Sequence, residues 1–468
     1  ESGHEMPGVS VELQPTRWYA DTRSLAHILG YVWTPSDRDV KRLEEQGIEP
    51  AFYVGRDGIE SVYEQQLMGE VGYELLAVNA ARRPLRTLGT TPPIPGARLN
   101  LSIDLDLQKL ALELLGDHNG AVVAADPRTG ELLCIASAPT YDLQLFENGI
   151  SSANLKTLMD DEDKPLFKRA IGGAYPPGST FKIVTAIAWE MAGKFSTTKT
   201  FFCPGYYALG RARFGCLGQH GNVAFHEAMT RSCNTYFAHV AVDAGVENMR
   251  VACEALELGS RQGVDIPGES SGIIPYQSWL DKRDLNWRPG DLINMSIGQG
   301  YVTLTPLQML TVASAAANGG KIYKPHVVSS WVDSATGETI NKEVELLGSL
   351  NLSPRFWSAL NDSLTNVVSN GTARSAKIEG IEWAGKTGSA EHRKGSETHG
   401  WFVGYAPSDD PQIAIAVIVE AAGHGGAVAA PLAKQIVRWY LLGPEAVTVE
   451  GQLNANDVDI DSISSADE

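Results

Sequence analysis

The alternation of apolar and polar positions divides the chain into a turn-rich beginning and a longer part built of strands and helices. From Pro7 to Pro95 the pattern gives only short strand-like pieces, such as Val9 to Leu13, set between turns. This stretch ends in Thr91-Pro92-Pro93-Ile94-Pro95-Gly96, a run of breaking residues that reads as a linker. Leu99 to Ile103 is a predicted strand. Asp104 is placed to cap a helix in which Leu107, Leu110, Leu114 and Leu115 keep helical spacing. Two apolar runs, Gly120 to Ala125 and Leu132 to Ala136, flank the turn residues Asp126 to Gly130 and predict a hairpin. Three more strands are predicted over Trp383 to Thr387, Trp401 to Tyr405 and Ile413 to Val419, the last two separated by a Pro-Ser-Asp-Asp-Pro turn. Helices over Phe181 to Met191 and Pro306 to Ala317 fall between. Strands at both ends with helices in the middle predict an α+β domain around a mostly antiparallel sheet.

Size and charge narrow this picture. A chain of 468 residues exceeds what one compact core usually holds. Two domains are expected, over 7–96 and 97–444. Glu1 to Met6 reads as a cloning remnant. Glu445 to Glu468 carries seven acidic residues and no Lys or Arg, the composition of a disordered, solvated tail. The formal charge of -18 argues against a nucleic-acid partner, because phosphate binding needs a basic surface. No run of about 18 apolar residues is present, so no segment is predicted to span a membrane.

The most informative stretch is Tyr175-Pro176-Pro177-Gly178-Ser179-Thr180-Phe181-Lys182. Pro-Pro-Gly cannot lie inside a helix, whereas Phe181 to Ala186 can, so Ser179 is placed at a helix start. Lys182 then lies one turn away on the same face. A serine needs a base to become a nucleophile, and a lysine made neutral by burial or a nearby positive charge serves. The spacing alone is weak: about two S-x-x-K matches are expected by chance in a chain of this length. Ser196 to Lys199 is such a match, read as coincidence because no helix start accompanies it. Two further elements raise the specificity. Ser232-Cys233-Asn234 has the S-x-N form, and Lys386-Thr387-Gly388 ends a predicted strand, where chance predicts only about 0.1 such tripeptides. S-x-x-K, S-x-N and K-T-G in this order form the signature of penicillin-binding proteins and class A β-lactamases.

On these motifs the chain resembles the class B penicillin-binding proteins, most closely those of the elongation type, over about residues 7–442. Ile297-Gly298-Gln299-Gly300-Tyr301, Asn370-Gly371-Thr372-Ala373 and Lys386-Thr387-Gly388-Ser389-Ala390 are similar to later family elements. Gly30-Tyr31-Val32 and Gly58 to Glu64 resemble the family's pedestal. The resemblance implies a penicillin-binding transpeptidase fold, with a five-stranded antiparallel sheet flanked by helices, behind an N-terminal, mostly extended pedestal of the dimerisation type. It implies a serine D-Ala-D-Ala transpeptidase that cross-links peptidoglycan stem peptides during cell elongation and is acylated by β-lactams. Ser179 is then the nucleophile and Lys182 its base. Ser232 relays a proton, Asn234 holds the substrate amide and Lys182, and Lys386 supplies positive potential. Thr387 binds the substrate carboxylate, next to Gly388, and the backbone N–H groups of Ser179 and Ser389 form the oxyanion hole. A RodA-type glycosyltransferase and an MreC-type scaffold are the implied partners. The implied location is the periplasmic face of the cytoplasmic membrane, with an N-terminal membrane anchor that this sequence does not contain.

Five cysteines, an odd number, do not suggest a disulfide framework. Cys203, Cys216, His220 and Cys233 fall within one short stretch. Three thiolates and an imidazole suit a tetrahedral zinc ion, while the spacing equally allows a disulfide or buried thiols. Some elongation-type members carry a metal near this place, and the resemblance therefore implies a structural zinc that braces the Ser232-Asn234 loop. No cofactor is implied for the chemistry itself. His226 and His239 lie nearby as packing or surface residues. Two other functions share the motifs or the fold: a β-lactamase or β-lactam sensor domain, and a non-catalytic scaffold of the elongation machinery. The pedestal-like first domain and the Gly-Gln-Gly region argue against the former, the intact motifs against the latter.

Overall fold

The computed structural model describes residues 17–45, 48, 53–147, 149–391 and 397–447. Glu1 to Met6, the strand expected over Val9 to Leu13 and the acidic stretch from residue 448 onward lie outside them. The chain divides into two compact units. The first comprises Glu1–Asn100 with two later segments, Thr140–Leu166 and Ser329–Lys342. It therefore does not end at residue 96. The physical reason is apolar burial: Tyr141, Leu143 and Phe146 form a core cluster with Ala26, and Tyr31 stacks on Phe146 with ring centroids 4.3 Å apart. Short helices, including Asp37–Glu45 and Glu64–Met68, accompany the extended pieces. The hairpin of Tyr73–Val78 with Pro84–Thr91 is exposed almost throughout. The proline-rich 92–96 stretch, read as a linker, is tied into this unit: Glu70 and Ile94 exchange backbone hydrogen bonds and Ala97 N donates to Gln66 O at 2.6 Å. Prolines lack the N–H, but the residues between them still find partners.

The second unit comprises Leu101–Pro139, Phe167–Val328 and Glu343–Glu468. Its centre is a five-stranded, wholly antiparallel sheet in the order Ala384–Ala390, His399–Ala406, Ile413–Val419, Gly120–Ala125, Leu132–Ala138. The chain ends of the unit thus meet in the middle, where Ile413–Val419 pairs with Gly120–Ala125. All seven residues of Ile413–Val419 are buried, so both faces of the sheet are covered. Helices Pro306–Ala317, Ala429–Leu442 and Leu105–Leu115 pack against the strands or each other to do this. Pro306–Ala317 begins as its sequence dictates: Thr305 Oγ1 accepts from Gln308 N, Gln308 Oε1 accepts from Thr305 N, and Pro306 occupies the first turn. Asp104 caps Leu105–Leu115, accepting from Asp106 N and Leu107 N, worth about 1 kcal/mol. The strand expected over Trp383 to Thr387 starts one residue later and continues to Ala390, which carries Gly388 and Ser389 on the sheet edge.

Candidate active site and thiol cluster

The helix Lys182–Met191 is entered through a single 3-10 turn, Gly178–Phe181, directly after the two prolines. Ser179 and Lys182 therefore stand one turn apart, and Lys182 Nζ donates to Ser179 Oγ at 3.0 Å. The lysine is fully buried. Its Nζ also donates to Ser232 O at 2.7 Å, Ser232 Oγ at 3.0 Å and Asn234 Oδ1 at 2.7 Å. Burial lowers its pKa to about 7, against an opposing pull from Cys216 and Cys233.

Ser232 sits in the turn between helices Phe225–Thr230 and Asn234–Ala244, with φ of 54°. A non-glycine residue in the left-handed region costs roughly 1–2 kcal/mol. The conformation puts its hydroxyl between two lysines, because Lys386 Nζ also donates to Ser232 Oγ, at 3.0 Å. Lys386 is fully buried too, and its pKa falls well below the ordinary lysine value through burial and then the charge of Lys182. Two residues along the same strand from Thr387, on its other side of Gly388, Ser389 points the same way. Thr387 Oγ1 lies 2.7 Å from Thr372 Oγ1.

The nucleophile turn is fixed from two sides. Gly178, at φ 56°, packs so closely on the sheet edge that a Cβ there would lie 2.7 Å from Ser389 O. Its N–H donates to Gly298 O at 3.0 Å, which brings the Gly-Gln-Gly loop against the turn. A third support is a partly buried ion pair: Arg169 Nε and the Tyr175 hydroxyl both donate to Glu420 Oε1, at 2.8 and 2.6 Å. After Glu420 the chain folds over the strand end, where Gly425 N donates to Ser389 Oγ at 3.3 Å and His424 Nδ1 lies 3.3 Å from the same oxygen.

Beside Asn234 lies the thiol cluster. The ladder of Phe201–Cys203 with Gly221–Val223 closes the ends of an excursion that contains a second hairpin, Tyr206–Leu209 with Ala212–Gly215. This brings Cys203, Cys216 and His220 up to Cys233, the cap of helix Asn234–Ala244, with all four ligand atoms within 4.8 Å of one another. No disulfide links them, since all five cysteines are free. Cys203 Sγ and Cys216 Sγ stand 3.6 and 3.5 Å from His220 Nδ1, and Cys216 Sγ stands 3.8 Å from Cys233 Sγ. Zinc bonds of about 2.3 Å to sulfur and about 2.0 Å to nitrogen imply tetrahedral edges of roughly 3.5–3.8 Å. The donor set fits a zinc ion in type, and these three separations match such edges. Cys216 Sγ accepts from Asn234 N at 3.2 Å, and the Cys233 thiol, donating to it, favours its thiolate form. Asn234 Nδ2 in turn donates to Gly215 O at 3.1 Å. His239 stacks on Phe201 and His226 Nδ1 meets Ser363 Oγ, so neither belongs to the cluster.

The structure thus brings together Ser179, Lys182, Ser232, Asn234, Lys386, Thr387, Gly388 and Ser389, and beside them Cys203, Cys216, His220 and Cys233. It separates the second S-x-x-K match, whose Ser196 Oγ accepts from Thr198 N and Lys199 N in a turn while Lys199 pairs with Asp243. Arg169, Glu420, Gly215 and His424 went unnoticed in the sequence. They carry no spacing signal, lying 251 residues apart in the case of Arg169 and Glu420.

Comparison with known proteins gives a match to the penicillin binding protein transpeptidase domain over residues 120–438. The chain belongs to this family. A second match, to the penicillin-binding protein dimerisation domain, covers residues 1–101. Peptidoglycan D,D-transpeptidase MrdA of Acinetobacter baumannii is 35% identical over 94% of this chain and 68% of its own length. Among solved structures, Pseudomonas aeruginosa PBP2 in complex with WCK 5153 superposes with a TM-score of 0.82 at 34% identity, covering 95% of this chain and 93% of that one. Helicobacter pylori PBP2 in complex with MreC gives a TM-score of 0.82 at 31% identity, over 92% and 79%. This penicillin-binding transpeptidase is therefore similar to the elongation-type members along both of its units.

Proposed function

We propose that this transpeptidase cross-links peptidoglycan stem peptides through an acyl-enzyme on Ser179. The observation that carries the reading is the fully buried Lys182 amine, within hydrogen-bond reach of both Ser179 Oγ and Ser232 Oγ. Lys182 takes the Ser179 proton as Oγ attacks the carbonyl carbon of the penultimate D-Ala. The N–H groups of Ser179 and Ser389 stabilise the developing oxyanion, a contribution of roughly 3 kcal/mol per donor. As the peptide C–N bond breaks, the proton passes through Ser232 to the departing D-Ala amine. An amine from a neighbouring stem peptide then attacks the ester, forming the cross-link and restoring the Ser179 hydroxyl. Asn234 holds Lys182 and the substrate amide. Lys386 sets the polarity of the Ser232 hydroxyl, and Thr387 with Thr372 receives the substrate carboxylate. β-Lactams, which imitate D-Ala-D-Ala, acylate the same oxygen.

The Cys203, Cys216, His220 and Cys233 donors would hold a structural zinc, which supplies rigidity and no chemistry. Through Cys216 Sγ and Gly215 O, these residues fix both the backbone and the side chain of Asn234. The first unit serves as the pedestal and the second as the catalytic unit. The working location is the periplasmic face of the cytoplasmic membrane, on an N-terminal anchor. A RodA-type glycosyltransferase and an MreC-type scaffold are the partners. Incubation with pentapeptide-bearing wall strands tests the reaction: wild type releases D-Ala and forms cross-linked dimers, and Ser179→Ala does neither. D-Ala release by Ser179→Ala at the wild-type rate would rule the mechanism out.

A further inference from the structure

The S-x-N element of the catalytic centre carries a sulfur. Cys233 stands between Ser232 and Asn234, and its Sγ lies 3.8 Å from Cys216 Sγ. A disulfide needs about 2.05 Å, so a closure of roughly 1.8 Å joins the two. They differ in access. Cys233 is fully buried, whereas Cys216 is half-buried beside Leu217, which is 69% exposed. A reagent from solvent therefore meets Cys216 first, and Cys233 is the thiol placed to follow. Cys134 and Cys253 are buried in strand Leu132–Ala138 and helix Val246–Ala255, outside this cluster.

Both sulfurs hold the segment that carries Asn234. Cys216 Sγ accepts from Asn234 N at 3.2 Å, and Cys233 Sγ accepts from Tyr236 N at 3.4 Å as the cap of helix Asn234–Ala244. The Asn234 side chain continues this link. Its Nδ2 donates to Gly215 O, next to Cys216, and its Oδ1 accepts from Lys182 Nζ at 2.7 Å. Drawing the sulfurs together displaces the backbone at both ends of these bonds. A disulfide sulfur is also a weaker acceptor than a thiolate, because it carries no charge. Lys182 then loses a fixed partner.

We infer that Cys216 and Cys233 form a redox pair, a modification site through which a small disulfide compound switches the catalytic centre off. Cys216 Sγ attacks one sulfur of the compound; its S–S bond breaks, one thiolate leaves and a mixed disulfide forms on Cys216. Cys233 Sγ then attacks Cys216 Sγ. The mixed S–S bond breaks, the second thiolate leaves and the Cys216–Cys233 bond forms. Two electrons pass from the cysteine sulfurs to the compound. The two thiol protons end on the departing thiolates, or water supplies them where the cysteines start as metal-bound thiolates. A metal on the four donors is left with Cys203 and His220 alone, too few for a structural site. The inference rests on the transpeptidase reading above and adds to it a control on the contact between Asn234 and Lys182.

The test uses the full chain purified with zinc under reductant, then freed of reductant and treated with oxidised glutathione. Disulfides are mapped by peptide mass spectrometry without reduction. Penicillin acylation is timed before oxidation, after it, and after re-reduction in the presence of zinc. The expected result is a Cys216–Cys233 disulfide, acylation slowed about tenfold or more, and full recovery on re-reduction. Absence of that disulfide, or a disulfide through Cys203 in its place, overturns the proposal. So does acylation at the original rate in the oxidised chain, or a loss that re-reduction does not restore. Failure of the reduced chain to take up penicillin overturns the transpeptidase reading instead, and is told apart from failure of the switch because it precedes any oxidation.

Discussion

The Ser232 hydroxyl accepts from two buried lysines, and at least one of them must be neutral for that arrangement to persist away from water. Lys182, lowered to about 7, is the group whose protonation changes in the working range. A base acts when unprotonated, so acylation by penicillin is expected to rise with pH through about 7 and then level off; stopped-flow acylation rates between pH 5.5 and 9 check this, and a flat profile counts against Lys182 as base. Lys182→Ala is expected to slow acylation by about 10²-fold or more while the fold persists. At Gly178 the left-handed backbone and the nearby Ser389 carbonyl leave no room for a side chain. Gly178→Ala is expected to cost about 1–2 kcal/mol and to slow acylation, read from denaturant unfolding and the same rate assay. These residues were legible in the sequence because each sits in a short motif. Arg169 and Glu420 were not, since only the sheet register brings such distant positions together.

At the scale of elements, two devices hold the motifs in place. The first is the Glu420 carboxylate, which joins the start of the nucleophile segment to the end of the central strand. Glu420→Ala removes the carboxylate that Arg169 and Tyr175 share, at an expected cost of about 1–3 kcal/mol, less than for a fully buried pair because Glu420 is partly exposed. A fall in melting temperature with slower acylation would be the signature; unchanged acylation would show that the nucleophile turn is held otherwise. The second is the thiol cluster, predicted from residue types but not from spacing, which allowed a disulfide equally well. The excursion between Cys203 and His220 folds back as paired strands and brings the four side chains together with no disulfide among them. Chelation, or Cys216→Ser, is expected to release about one zinc ion per chain and lower the melting temperature, because zinc bound only by the folded form stabilises it by mass action. Metal analysis finding less than half an equivalent in the untreated chain would remove zinc from this account.

Over the whole molecule, the central sheet was legible almost strand by strand, since fully apolar runs between turn signals have few alternatives. The extent of the first unit was not. Thr140–Leu166 and Ser329–Lys342 join it through buried side chains such as Tyr141 and Phe146, which no local pattern assigns to one core or another. The proposed reaction depends on one covalent event, the acylation of Ser179. The most direct measurement is the intact mass of wild type and Ser179→Ala after incubation with penicillin. The prediction is a stable adduct of one drug molecule on the wild type and none on the variant. An adduct on both, or rapid drug hydrolysis with no adduct on the wild type, would contradict it.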